Sequence, residues 1–253
     1  MLSRKNNMMK IYCCDLPDSL RSSLGSEVTQ GKRQDTGHMR DLFDLDTDEA
    51  ETVALGRDAV VLRSFACDVA ADLLAGLHAV AALAPFRNMV TPGGYTMSVA
   101  MTNCGTAGWV TDQRGYRYTR DDPESGEPWP PLPAAFESLA VRAAAAAGFA
   151  DFRPDACLIN RYVSGTRLSL HQDRNEPDYA APIVSVSLGL PAKFLFGGLR
   201  RNERVTRIEL HHGDVVVWGR DARLAFHGVD TLKDGDHPAT RRCRFNLTFR
   251  KAL

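Results

Sequence analysis

From Ala156 to Arg250 the chain reads as a succession of short strands cut by turn residues, and this texture limits the fold more than anything else in it. Candidate strands run over Ala156–Val163, Arg167–His171, Ile183–Leu190, Lys193–Phe196, Val205–Leu210, Asp214–Trp218, Arg223–His227 and Arg242–Arg250. Ser164-Gly165, Gly197-Gly198, Gly213 and Gly235 punctuate them. About eight short strands with polar turns predict a sandwich or double-sheet barrel of the jelly-roll kind. Upstream the texture is mixed. Ala59–Phe65 predicts a strand, and Cys67–Leu83 carries Val69, Leu73, Leu77 and Val80 at the spacing of an amphipathic helix. Thr91-Pro-Gly-Gly94 marks a loop, and Tyr95–Thr102 alternates enough for a strand. Trp109, Tyr116 and Tyr118 lie on short strand-like pieces, and Ala134–Ala147, closed by Gly148, predicts a second helix. The class is mainly β, of the α+β kind.

A length of 253 residues suits one large domain or two small ones. No repeat or linker divides the chain after residue 45, so residues 39–253 are expected to form one domain. Residues 1–38 are rich in Ser, Asn, Gln, Lys and Arg and are expected to be disordered. A basic nucleic-acid arm and a leader preceding a true start at Met39 both stay open for them. Lys plus Arg and Asp plus Glu number 31 each, so net charge announces no nucleic-acid partner, though a local patch would suffice to hold phosphates. Cys13, Cys14, Cys67, Cys104, Cys157 and Cys243 show no C-x-x-C spacing, which argues against a zinc site and for reduced thiols. No apolar run approaches the roughly 18 residues of a membrane span, and the amino terminus lacks the apolar core of a signal peptide. A cytoplasmic monomer with no membrane partner is expected.

Leu168-Ser-Leu-His-Gln-Asp173 places His171 and Asp173 two residues apart at the end of a strand-like run. On a strand, residues i and i+2 point to the same face, so an imidazole and a carboxylate can approach one metal ion from one side. Arg223-Leu-Ala-Phe-His227 offers a second histidine far downstream. Two histidines and a carboxylate on one face of an ion leave its other positions open, the arrangement of non-haem Fe(II) oxygenases. Alone, a His-x-Asp pair is more often accidental. His211-His212 is read as a turn because adjacent strand residues point to opposite faces, and His78 is read as a structural helix residue.

The final strand alternates strictly. Cys243, Phe245, Leu247 and Phe249 take one face, and Arg242, Arg244, Asn246, Thr248 and Arg250 take the other. In an ordinary sandwich the polar face would meet solvent. In a barrel with a ligand-filled interior, Arg244 and Arg250 would point inward, where a guanidinium can clamp a carboxylate through two parallel hydrogen bonds. Periodicity does not choose between the two.

These residues together resemble the Fe(II)/2-oxoglutarate dioxygenases of the AlkB type. The resemblance rests on Leu168–Asp173, the His227-Gly228 step and Arg244-Phe-Asn-Leu-Thr-Phe-Arg250, and extends to Met89–Gly105, Asp155–Tyr162 and Ala181–Pro191. It implies a double-stranded β-helix (jelly roll) over about 155–250, preceded by a helix/strand nucleotide-recognition segment over about 85–120. It implies that His171, Asp173 and His227 are the catalytic ligands of Fe(II). Arg244 would pair with the distal carboxylate of 2-oxoglutarate, with Asn160, Tyr162, Asn246 and Arg250 completing the cosubstrate pocket. With O2 as oxidant, the implied reaction hydroxylates an N-methyl group on a base such as 1-methyladenine or 3-methylcytosine. The product sheds formaldehyde and restores the base, leaving succinate and CO2 from the cosubstrate. The implied substrate is single- or double-stranded DNA carrying methylated bases, with RNA left open. Trp109 would stack on the flipped base opposite His171, a contact that favours a cationic ring. Tyr116 and Tyr118 match positions that touch the nucleic-acid backbone, and Arg201, in the basic run Arg200-Arg201-Asn-Glu-Arg204, matches one that touches the substrate nucleotide. Arg200 and Arg204 keep the plainer reading of a solvated face.

One position departs from the family pattern. Where the family has an aspartate that helps recognise the exocyclic amine of the base, this chain has Asn175. Asparagine keeps an acceptor oxygen and loses the charge that favours a cationic base, so an altered base preference is expected. Two rival readings remain: the same chemistry on a non-nucleic-acid substrate, and a nucleic-acid-binding module with a vestigial metal site.

Overall fold

The computed structural model describes residues 51–253; the expectations for residues 1–38 and for a start at Met39 fall outside that range. In chain order the strands are β1 (Thr52–Gly56) and β2 (Ala59–Leu62), then helix α1 (Ala70–Leu83), then β3 (Ala100–Gly105), β4 (Gly108–Asp112) and β5 (Gly115–Thr119). Helix α2 (Ala134–Ala146) leads into β6 (Ala156–Val163), β7 (Leu168–His171), β8 (Ile183–Gly189) and β9 (Ala192–Phe196). The chain ends with β10 (Thr206–Leu210), β11 (Val215–Trp218), β12 (His227–Val229) and β13 (Cys243–Arg250). A seven-stranded sheet runs β1-β2-β11-β8-β13-β6-β3, a four-stranded sheet runs β10-β9-β12-β7, and β4 and β5 form a separate hairpin. All the pairings are antiparallel.

The helices form because each has one apolar stripe to bury. Leu73, Leu77 and Val80 of α1 and Phe136, Leu139 and Ala143 of α2 pack on Val184, Val186, Val217, Leu247 and Phe249 of the large sheet. Gly148, with φ +85°, ends α2 in the left-handed turn that favours glycine. The other face of the large sheet supplies Val61, Ile183, Val216 and Trp218 to a second cluster, completed by Phe194, Phe196 and Val229 of the small sheet. The layers are therefore helices, large sheet, small sheet. No helix among the described residues is long and apolar enough to cross a membrane.

The open question about β13 is answered by this layering. Phe245, Leu247 and Phe249 face the helices, and Arg244, Asn246, Thr248 and Arg250 are buried all the same. Their pairing explains how. Across β6 and β8, Arg244 lies opposite Tyr162, Asn246 opposite Asn160 and Ser187, and Thr248 opposite Ser185. Three adjacent strands thus alternate in phase and turn a polar stripe toward the small sheet. The solvent-facing reading of that strand is overturned.

Two strand expectations need correction. The strand expected over Tyr95–Thr102 starts at Ala100, because Met97 N–H and Thr91 N–H bond locally to Met89 O and Tyr95 O before the chain reaches its partner β6. The strand expected over Arg223–His227 instead begins at His227. A 3-10 turn at Arg220–Ala222 and its following bonds, Arg223 N–H to Arg220 O and Ala225 N–H to Ala222 O, hold the preceding residues. The strand β1 was not anticipated.

Removing the Leu247 side chain should leave a cavity beneath the helices, so Leu247→Ala should cost about 2–5 kcal/mol of stability. Arg242→Ala, which removes an exposed pair with Asp234, should leave the urea midpoint nearly unchanged. Equal midpoints for the two variants would contradict the assigned facing of β13.

Candidate metal centre and the buried polar stripe beside it

His171 ends β7 and His227 begins β12, and the two are directly paired across the strands. Their ring centroids lie 4.3 Å apart. The register shifts just after His227, where Gly228 passes the Leu168 backbone so closely that a Cβ would lie 2.6 Å from Leu168 O. Any larger residue there would push β12 off β7 and separate the imidazoles. Asp173 lies two residues past the end of β7. The candidate ligand atoms of His171, Asp173 and His227 all lie within 4.8 Å of one another, the one such group among the described residues.

The tautomers follow from the neighbours. His171 Nδ1 is 2.9 Å from Ser169 O and His227 Nδ1 is 3.0 Å from Ala225 O. A carbonyl only accepts, so each Nδ1 carries the hydrogen and donates it. That leaves each Nε2 with a lone pair, the form a metal needs. Both Nε2 atoms lie 3.7 Å from Asp173, one from Oδ1 and the other from Oδ2. Burial pushes His227 down to about 3, reinforced by His171, so its imidazole is neutral at ordinary pH. Burial alone would raise the Asp173 carboxyl, but the Arg250 guanidinium together with His227 and His171 outweighs it and holds the group well below the usual carboxylate range. Two neutral imidazoles and a carboxylate are a donor set that fits Fe(II).

Arg250 donates to Asp173 Oδ2 through Nε at 2.9 Å and Nη2 at 2.7 Å. It was expected beside a cosubstrate; its direct partner here is the metal carboxylate. Arg244 differs. Nη2 donates to Ser187 Oγ at 2.9 Å, while Nε and Nη1 are buried without a hydrogen-bond partner. The Tyr162 hydroxyl and Asn160 Oδ1 are also buried and unpartnered. Asn246 is spoken for: it donates to Ser185 Oγ and Val186 O and accepts from Asn160 Nδ2 and Thr248 Oγ1. Unpaired buried donors of this kind are costly, and a guanidinium especially so. An anion that offers a carboxylate to Arg244 would remove the penalty. Burial lowers the Arg244 guanidinium below its ordinary value, consistent with a charge awaiting a partner.

The hairpin β4–β5 carries the aromatic residues. Trp109 stacks on Tyr116 with centroids 5.7 Å apart, and its indole N–H donates to Asn175 Oδ1 at 3.0 Å. Asn175 Nδ2 reaches Tyr116 O at 3.4 Å. Asn175 was expected to face a substrate base; here its acceptor oxygen holds the Trp109 indole. Tyr118 turns inward and donates to Glu176 Oε1 at 2.5 Å. Arg201 bonds Leu170 O, next to His171, and its guanidinium lies 5.7 Å from the Phe226 ring centroid. Arg200 is exposed, in keeping with a solvated face.

Two buried charges escaped the reading of the sequence. Glu176 and Arg223 pair at 2.9 Å, both almost fully enclosed, and Arg223 also donates to Asp173 O. Neither carries a local signal: Glu176 sits in an ordinary Asn-Glu-Pro loop and Arg223 in a turn. His211 and His212 occupy the expected turn; His212 Nδ1 accepts from Gly189 N–H and stacks on His237. His78 lies on the exposed side of α1.

A family model described as the 2OG-Fe(II) oxygenase superfamily matches residues 58–250. The chain is 58% identical over 214 residues to the alpha-ketoglutarate-dependent dioxygenase AlkB of Escherichia coli K12, an alignment covering 85% of this chain and 98% of that one. It is 39% identical over 122 residues to the human nucleic acid dioxygenase ALKBH1, covering 48% of this chain and 31% of that one. The solved structure of OsALKBH1 superposes with a TM-score of 0.70 at 28% identity, covering 79% of this chain and all of that one.

The depressed His227 gives a pH dependence of known sign. An unfolded histidine titrates near 6.5 and the folded one near 3, so on acidification the unfolded state takes up the proton first. The metal-free protein should keep this stability above about pH 6.5 and lose it as pH falls toward 3, by at most about 1.4 kcal/mol per unit for one proton. Thermal melts over that window should show Tm falling, and falling less in His227→Gln. Equal slopes would contradict the assignment.

Proposed function

This chain belongs to the 2OG-Fe(II) oxygenase superfamily and, within it, to the AlkB dioxygenases, and on that premise we propose that its metal triad and arginine cradle form one active site for oxidative removal of alkyl groups from nucleic-acid bases. The observation that carries this reading is the polar stripe of β13. One end, Arg250, holds the metal carboxylate, and the other, Arg244, offers two unpartnered guanidinium nitrogens. The two facing sheets are read as the halves of a double-stranded β-helix, with residues 39–253 as the dioxygenase domain, about 155–250 as its jelly-roll core and about 85–120 as the nucleotide-recognition segment.

In this reading His171, Asp173 and His227 hold Fe(II), and Arg244 clamps the distal carboxylate of 2-oxoglutarate with the Tyr162 hydroxyl and Asn160 beside it. Asn246 and Thr248 buttress Asn160, and Arg250 fixes the rotamer of Asp173. When bound, Fe(II) and 2-oxoglutarate supply the oxidation by O2, leaving succinate and CO2. Burial between the sheets excludes water from the Arg244 end and strengthens its pull on an anion. Trp109, held by Asn175 two residues beyond Asp173, would offer a π-face on which a flipped, cationic base can stack. Tyr116 and Arg201, both exposed, would meet the nucleic-acid backbone and the substrate nucleotide. Hydroxylation of an N-methyl group leaves a carbinol on the base nitrogen. Its C–N bond breaks as formaldehyde departs, which restores the base with no protein acid required.

The direct test is formaldehyde and succinate release on oligonucleotides carrying 1-methyladenine or 3-methylcytosine, in single-stranded, duplex and RNA forms. The two products should appear together, and His171→Ala should lower turnover below about a hundredth. Intact turnover in that variant would refute the metal assignment. Asn175→Asp should raise turnover on cationic 1-methyladenine or 3-methylcytosine relative to a neutral N-methylated base by about fivefold, the factor that roughly 1 kcal/mol of added charge interaction gives. An unchanged ratio would remove Asn175 from base selection.

A further inference from the structure

The geometry points to a positioning role for Glu176, which belongs to neither the metal set nor the cosubstrate cradle: it couples the β4–β5 hairpin to the metal carboxylate Asp173. The inference rests on the metal-site reading above and concerns how that site is tuned.

Glu176 is buried, 3% exposed, and its carboxylate meets Tyr118, Arg223 and Arg250. Oε1 accepts the Tyr118 hydroxyl at 2.5 Å and lies 3.6 Å from Arg250 Nε. Oε2 accepts from Arg223 Nη2 at 2.9 Å. Arg250 is therefore shared between two carboxylates: it binds Asp173 Oδ2 at 2.7 Å and faces Glu176 at the longer distance. Arg223 closes the loop, donating to Asp173 O at 2.9 Å. Two carboxylates and two guanidinium groups balance in charge, in an interior where each charge acts strongly on the next.

The consequence has a sign. Without the Glu176 charge, Arg250 would act on Asp173 alone, and the four-residue cluster would carry a net positive charge. Both changes oppose a divalent cation. Glu176 thus weakens the hold of Arg250 on Asp173 and leaves the carboxylate available to a metal. On the hairpin side, Tyr118 on β5 is tied to this same carboxylate, while the adjacent Asn175 holds Trp109 on β4. Movement of the hairpin therefore pulls on the partner of the metal carboxylate.

The test uses the full chain with Mn(II) as the probe, its free fraction read by electron paramagnetic resonance. Glu176→Gln should weaken Mn(II) binding by about tenfold, and Glu176→Asp, which keeps the charge, should stay within about twofold of the parent. A purely structural role would lower Tm in both variants and leave Mn(II) affinity alone; a folded Glu176→Gln with parental affinity overturns the proposal. Should Glu176→Gln not fold, Tyr118→Phe decides the hairpin half without touching a buried charge. Hydrogen exchange across residues 108–119 should slow on Mn(II) addition in the parent and lose that response in Tyr118→Phe. A response that survives in the variant, or never appears in the parent, overturns the coupling. A parent chain that binds no Mn(II) would instead refute the metal site itself, and this inference with it.

Discussion

Two arginines on one buried strand face, Arg244 and Arg250, set the electrostatics on which the rest of the interior depends. A guanidinium taken out of water must be paired, or the fold bears a desolvation penalty of several kcal/mol. Arg250 finds Asp173 and, more distantly, Glu176. Arg244 has the Ser187 hydroxyl for one nitrogen and the Tyr162 ring 5.0 Å from its guanidinium carbon, and its Nε and Nη1 have no hydrogen-bond partner. The first pairing orients a metal ligand, and the second leaves a demand for an anion. Stability alone would not favour Arg244 at this place, and in the proposed reading an anionic ligand relieves it.

The helices make this arrangement tolerable. By covering Phe245, Leu247 and Phe249 on the outer face, α1 and α2 give β13 a conventional apolar anchor. The inner face is then free to be polar. The small sheet closes over it with Phe194, Phe196 and Val229, packed around Trp218. The cross-strand pair of His171 and His227 belongs to that second sheet, and Gly228 lets its strands approach. The two histidines are thus carried by one sheet and the polar stripe by the other, with Arg250 spanning the gap to Asp173 in the loop after β7.

Much of this was legible before any coordinates. Ala156–Val163 was read with its observed bounds, and the end of α2 was legible from Gly148, because both rest on local signals: alternation and a left-handed turn. The triad was legible only through the family resemblance, in which His227 and the final strand complete a His-x-Asp pair that is more often accidental alone. The facing of β13 was not, since alternation defines two faces without saying which one the helices will cover. The approach to His227 was misread as strand because a turn of backbone hydrogen bonds outweighed its apolar pattern. Glu176 and Arg223 were invisible because a buried ion pair between residues 47 apart leaves no trace in either neighbourhood. Asn175 was noticed as a departure, but its bond to Trp109 could be seen only in three dimensions.

The central claim is that the metal triad and the Arg244 cradle serve one ligand. Calorimetric titration of 2-oxoglutarate into the Mn(II)-loaded protein tests it most directly. The account predicts one molecule bound per chain, with the heat largely lost in Arg244→Met and, separately, when the metal is withheld. A titration unaltered by Arg244→Met would contradict it.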